Sequence, residues 1–175
     1  MPLAYISLGS NVGDRVQNLR RAIAELGKLG TVTKISSFYE TEPVEFAAQG
    51  WFVNCVVELQ TTLTPWELLA ALLAIEHGMG RNRSISTTPK GPRNIDLDVI
   101  LYEDRTISEP GLNIPHPAMQ ERRFVLAPLA EIAPDAIHPV FMRSAIDLLK
   151  ALGDAGGTVK RMSSGPEVPA SFPKP

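Results

Sequence analysis

The hydrophobic pattern divides the chain into strand-like and helix-like runs. Leu3 to Leu8 is a short apolar run closed by Gly9-Ser10-Asn11, the pattern of a buried strand followed by a turn. From Asp14 onward Val16, Leu19, Ile23 and Leu26 recur at helical spacing and line one face, and Gly27 stands where a C-terminal cap belongs. Val32 to Tyr39 and Trp51 to Thr61 are rich in β-branched and aromatic residues and flank a Pro- and Gly-containing loop, so two more strands are expected. Thr64-Pro65-Trp66-Glu67 carries the threonine and glutamate of a capping box with proline at the first helical position. It predicts a helix over Leu68 to His77, ended by Gly78. Asn94 to Tyr102 alternates as a fourth strand, with Ile95, Leu97, Val99 and Leu101 on one face.

The order βαββαβ predicts an α+β fold, a ferredoxin-like sandwich of one antiparallel sheet with its helices packed on one side. A proline-punctuated stretch follows. Then come a short helix near Glu121 to Ala127 and another from a Ser144 cap to Leu152, extra C-terminal helices around the sheet. Residues 1–152 are expected to form a single domain. Residues 153–175 collect Gly, Ser, Pro and Lys with few large apolar groups and are expected to be a poorly anchored tail.

Composition narrows the function classes. A chain of 175 residues, 44% apolar, suits one domain with a real core. Nineteen acidic and seventeen basic side chains give a net charge of −2, so there is no global basic field to hold a polyanion, and nucleic acid is not an expected partner. The single cysteine, Cys55, cannot form an intrachain disulfide and falls in the apolar run Val53 to Leu59, where a small buried side chain is expected. The N-terminus lacks a basic leader region, and the longest apolar stretch, Leu68 to Ile75, is too short to span a bilayer. A soluble, cytoplasmic protein without a membrane partner is expected.

The string Gly91-Pro92-Arg93-Asn94-Ile95-Asp96-Leu97-Asp98 carries the most chemistry. Strand alternation projects Asp96 and Asp98 from the same face. Two adjacent carboxylates on a strand of Ile, Leu and Val are costly unless water covers that face or a cation sits between them. Between Met79 and Ile95 lie Arg81, Arg83, Lys90 and Arg93 and not one carboxylate, on a connection punctuated by Gly78, Gly80, Pro89, Gly91 and Pro92. A long cationic loop running into a paired-carboxylate strand is what a magnesium polyphosphate such as ATP needs. Magnesium takes one or two carboxylates plus phosphate oxygens, and arginines neutralise the remaining charge. Pro115-His116-Pro117, followed by Arg122 and Phe124, reads by itself as a turn histidine and an exposed helical charge. Phe52 and Asn54 share one face of their strand. They fit either a core ring and a backbone cap, or a planar heterocycle stacked on the ring with its edge matched by the amide.

Taken together, these motifs match a known pattern. Ala4-Tyr5-Ile6-Ser7-Leu8-Gly9-Ser10-Asn11, Ser37-Phe38-Tyr39-Glu40-Thr41-Glu42-Pro43-Val44, Phe52-Val53-Asn54, the Gly91 to Asp98 string, and Pro115-His116 with Arg122 and Phe124 occur in one order and spacing. Over residues 3 to 152 the chain resembles the hydroxymethyl-dihydropterin pyrophosphokinases of folate biosynthesis. The resemblance implies magnesium-dependent transfer of pyrophosphate from ATP to 6-hydroxymethyl-7,8-dihydropterin, with release of AMP. It implies that Asp96 and Asp98 hold two magnesium ions, that Arg93, His116 and Arg122 contact the triphosphate, and that Arg81 and Arg83 sit on a loop closing over the reaction. Lys90 and Val99 join the nucleotide side. Phe52 and Phe124 would sandwich the pterin, Asn54 would bond its edge, and the backbone near Thr41 to Val44 would help read it. A monomer acting on these two small molecules is expected. Lys90, Pro117 and Gly111 replace residues that some members carry there, all on the nucleotide side. Two other classes share parts of the pattern. Nucleotidyltransferases also pair Gly-Ser with Asp-x-Asp, but about a helix apart, whereas Ser10 and Asp96 are separated by most of the chain. An RNA-binding module on the same sheet order would need exposed aromatics and a basic face, not two aspartates.

Overall fold

The computed structural model describes residues 1–41, 50–80 and 94–162. In chain order the elements are β1 (Leu3–Ser10), α1 (Arg15–Leu26), β2 (Thr31–Ile35), β3 (Tyr39–Thr41), β4 (Phe52–Gln60), α2 (Pro65–Gly78), β5 (Asp96–Tyr102), β6 (Ile107–Glu109), β7 (Leu112–Ile114), a 3-10 turn (Met119–Glu121), α3 (Arg123–Ile132), β8 (Ile137–His138), β9 (Arg143–Ser144), α4 (Ala145–Leu152) and β10 (Val159–Arg161). The main sheet runs β10-β3-β4-β1-β5 with every pair antiparallel, and β2 also pairs with β4. β2 and β3 share one edge of β4, β2 along Val57 to Gln60 and β3 along Phe52 to Asn54. β6-β7 and β8-β9 form separate hairpins.

The helices start where their caps dictate. The Asp14 carboxylate accepts the Gln17 N–H at 3.1 Å, satisfying a donor that the first turn of α1 leaves unpaired. At α2, Thr64 and Glu67 make the reciprocal pair of a capping box, with Pro65 at the first helical position. α1 and α2 bury Leu19, Ile23, Leu26, Leu68 and Leu72 against Ile6, Leu8, Val53, Cys55, Val57, Leu97 and Val99 of the sheet. Each such aliphatic contributes about 1.5–3 kcal/mol. The opposite sheet face is not bare. α3 and α4 cover it with Val125, Leu126, Leu129 and Leu148 packed on Val56, Ile100 and Leu101. The helices thus lie on both sides of the sheet, not on one. Among the described residues no helix is long and apolar enough to cross a membrane.

Five local expectations are corrected. β1 does not turn at Gly9: Gly9 pairs with Asn54 and Asp96, and Ser10 with Val53. The run Val32 to Tyr39 breaks into β2 and β3 at the buried Ser36, whose hydroxyl takes the Val56 N–H at 2.9 Å in place of a backbone acceptor. In β5 the register slips so that Val99 faces Ile6 but Leu101 faces Tyr5. The extra residue turns Leu101 to the α3 side and returns Tyr102 to the α1 and α2 side. α3 does not stop at Ala127 but continues through Pro128 to Ile132. The start of the expected tail is tied down, with β10 pairing with β3. Residues 163–175 lie outside the described residues.

Candidate active site

The α3 side of the sheet has an apolar half under the helices and a polar half at the end of β1, β4 and β5. Cross-strand register builds the polar half. Asp96, Gly9, Asn54 and Tyr39 stand opposite one another in one row across four strands. Asp98, Ser7 and Val56 form the next row. Directly opposed residues on an antiparallel sheet share a face, so both aspartates and Asn54 project on the side away from α1 and α2. Asp96 and Asp98 are half-buried and roughly 7 Å apart along the strand.

Gly9 is the element of this row that the sequence hid. A Cβ there would lie 2.5 Å from Asn54 Oδ1 and 3.5 Å from Phe52 Cδ1. Only glycine leaves room for the Asn54 amide oxygen over β1. Asn54 is buried, and its amide N–H donates to the hydroxyl of buried Thr41. Half-buried Phe52 stands opposite Thr41 at the rim.

The aspartate strand is held from behind. β5 is the sheet's outer strand, so every second N–H lacks a partner strand. The Leu97 N–H, midway between the two aspartates, donates to Glu76 Oε2 of α2 at 3.0 Å, and Glu76 is only 3% exposed. Asn94 Nδ2 donates to Met79 O at 2.9 Å and fixes the entry to the strand. Neither contact was anticipated. The only signal was an acidic residue on an apolar stretch of α2.

His116 follows β7, and its N–H donates to Ile100 O at 3.1 Å, which hangs the segment on β5. Its Nδ1 accepts the Ala118 N–H at 3.1 Å, so in the neutral ring the proton sits on Nε2. Burial pushes the His116 pKa down to about 4, and the Arg122 guanidinium pushes the same way while Asp96 opposes. His116, Arg122 and Asp96 therefore share one electrostatic neighbourhood. The Arg122 guanidinium carbon stands 5.5 Å from the Phe124 ring centre, a cation–π contact at the start of α3.

The structure thus brings Asp96, Asp98, His116, Arg122 and Phe124 to one side, and Phe52, Asn54 and Thr41 beside them. It does not bring Val99 there. That side chain is buried under α1 and α2, on the opposite face from the aspartates. Arg81, Arg83, Lys90, Arg93 and Val44 lie outside the described residues. No cluster of three or more His, Cys, Asp or Glu able to hold a metal occurs among the described residues. A pair of hard carboxylate oxygens suits magnesium, which keeps part of its shell for phosphate and water, and not a closed zinc or calcium cage.

A family model described as 7,8-dihydro-6-hydroxymethylpterin-pyrophosphokinase (HPPK) matches residues 5–134. The 2-amino-4-hydroxy-6-hydroxymethyldihydropteridine pyrophosphokinase of Bacillus subtilis is 50% identical over 132 residues, 74% of this chain and 77% of that protein. Its namesake in Aquifex aeolicus is 40% identical over 143 residues, 82% of this chain and 88% of that protein. A solved HPPK-DHPS chain of Plasmodium falciparum with SDX-DHP superposes with a TM-score of 0.72 at 17% identity, covering 91% of this chain and 48% of that one. At that identity the superposition speaks for the fold alone, and this chain spans about half of the larger protein. From residue Tyr5 to Pro134, then, the chain belongs to the 7,8-dihydro-6-hydroxymethylpterin-pyrophosphokinase family.

Proposed function

We propose that this chain transfers pyrophosphate from ATP to 6-hydroxymethyl-7,8-dihydropterin in folate synthesis, giving AMP and the pterin diphosphate. The observation that supports the reading is the pair of neighbouring rows Asp96-Gly9-Asn54 and Asp98-Ser7-Val56, which sets two carboxylates and the Asn54 amide side by side on one sheet face. Its frame is read as a ferredoxin-like βαββαβ core: β5-β1-β4 with β2 and β3 together as the fourth strand, plus C-terminal additions. Asp96 and Asp98 would hold two magnesium ions. When bound, magnesium supplies charge neutralisation on the phosphates and acidifies the attacking hydroxyl.

The chain's own residues align the reactants. Arg122 and the Nε2–H of neutral His116 meet the triphosphate, joined by Arg81, Arg83, Lys90 and Arg93 from the cationic loop. Phe52 and Phe124 stack on the pterin, and Asn54, with the backbone from Thr41 to Val44, reads its edge. The hydroxymethyl oxygen bonds to the β-phosphorus. The bond from that phosphorus to the α–β bridging oxygen breaks, its electron pair leaves with AMP, and the hydroxyl proton goes to solvent. A loose transition state needs alignment and charge stabilisation more than a strong base. The reading includes a monomer with small-molecule partners only. An RNA-binding sheet has no comparable support, since α3 and α4 pack on that face over Val56, Ile100 and Leu101. The test is AMP release from ATP with and without the pterin alcohol. Release that requires the pterin supports the proposal, and release indifferent to it refutes it.

A further inference from the structure

The segment after α4 touches both flanks of this site without entering it. We propose that residues 155–161 are a clasp that sets the spacing between Phe124 on α3 and Thr41 on β3, and so positions the pterin-binding side. This rests on the pyrophosphokinase reading above. Three observations carry it.

First, the N-cap residue of α3, Arg122, makes no side-chain cap, so the first-turn N–H groups need other acceptors. The Arg123 N–H donates to Gly156 O at 3.3 Å. The Arg123 side chain closes around the same loop, Nη2 to Ala155 O at 2.7 Å and Nε to Gly157 O at 3.2 Å. Residue 123 lies between Arg122 and Phe124, so holding it from both backbone and side chain fixes the direction in which those two project.

Second, the loop fits there only as glycine. Gly156 has φ +86°, and a Cβ would sit 3.0 Å from Glu121 O, 3.1 Å from Arg123 N and 2.6 Å from a Leu152 methyl. A side chain would meet both the strained backbone conformation and a closed space.

Third, the other end of the segment is β10, which pairs Val159 with Thr41 and Arg161 with Tyr39 and covers the outer edge of β3. Arg161 Nη2 stands 3.5 Å from Glu131 Oε2 of α3. Glu131 in turn accepts the Tyr39 hydroxyl at 2.6 Å and the Ser37 N–H and hydroxyl at 2.9 Å each. α3 and β3 are therefore joined directly through Glu131 and a second time through the clasp.

A ring stacked beside a hydrogen-bonded edge tolerates little change in spacing, whereas the long Arg122 side chain absorbs a small shift. The pterin should feel the clasp more than ATP does. The test uses the full chain carrying Gly156→Val, Arg123→Ala or Arg123→Lys, with each substrate varied at saturation of the other and thermal unfolding followed in parallel. Loss of the Arg123 hydrogen bonds should raise the pterin KM about tenfold while kcat and the ATP KM stay within about twofold. Arg123→Lys, which keeps a cationic donor, should recover part of the loss. Arg123 is partly exposed, so its variants carry the test even where Gly156→Val does not fold. A wild-type pterin KM in Arg123→Ala, with or without a lower Tm, overturns the clasp, as do pterin and ATP KM rising in parallel. A wild-type chain without pterin-dependent AMP release overturns the pyrophosphokinase reading instead.

Discussion

Gly9→Ala places one methyl group at the centre of the site. The nearest atoms to the new carbon are Asn54 Oδ1 at 2.5 Å, Phe52 Cδ1 at 3.5 Å and Asn54 Cγ at 3.6 Å; none belongs to Asp96. The Asn54 amide has to give way. Overpacking of this kind costs about 1–3 kcal/mol. Displacing a buried amide from its Thr41 partner adds about 1 kcal/mol, the net worth of a typical hydrogen bond. For a domain of this size each kcal/mol lowers Tm by about 2–4 °C, so a fall of roughly 4–16 °C is expected. If the displaced groups read the pterin as proposed, the pterin KM should rise at least about tenfold, the equivalent of about 1.4 kcal/mol. Magnesium-dependent binding of an ATP analogue should be nearly unchanged. Differential scanning calorimetry and steady-state assays of AMP release measure both effects. A variant with the wild-type Tm and pterin KM would show that Asn54 does not need the space above Gly9.

Three further outcomes follow from the same geometry. Asn54→Ala should weaken pterin binding while ATP binding is largely kept; titration of each ligand checks this, and equal loss of both would mark Asn54 as structural. Glu76→Ala leaves the buried Leu97 N–H without that acceptor and should cost about 1–3 kcal/mol in denaturant unfolding, whereas Glu76→Gln, which keeps an acceptor oxygen, should cost less. His116, held down to about 4 by burial and Arg122 from an ordinary 6.5, binds its proton later than the unfolded chain does. Stability should therefore fall as pH drops from about 6.5 toward 4, and the imidazole midpoint seen by NMR should rise in Arg122→Ala.

What the sequence made legible was local. The Thr64–Glu67 cap, the α1 stripe and the same-face aspartates are set by neighbours within a few residues, and they stand where the pattern put them. What was missed depends on partners far along the chain. Gly9 looked like a turn because the reason for it, the Asn54 amide, comes from β4. The slip in β5 is a matter of register against β1. β10 is a short polar segment, Val-Lys-Arg, that becomes a strand only because β3 offers it an unpaired edge. Val99 shares the carboxylate strand but, by the same alternation that aligns Asp96 with Asp98, points to the core.

In the proposed function Asp96 and Asp98 share a face in order to hold magnesium bound to a nucleotide. Calorimetric titration of the chain with a nonhydrolysable ATP analogue, with and without magnesium, tests it most directly when repeated on Asp98→Ala. The account predicts tight binding only with magnesium in the wild-type chain and loss of that dependence in Asp98→Ala, with thermal unfolding little changed. Equal binding with and without the metal, or an unaffected Asp98→Ala variant, would contradict it.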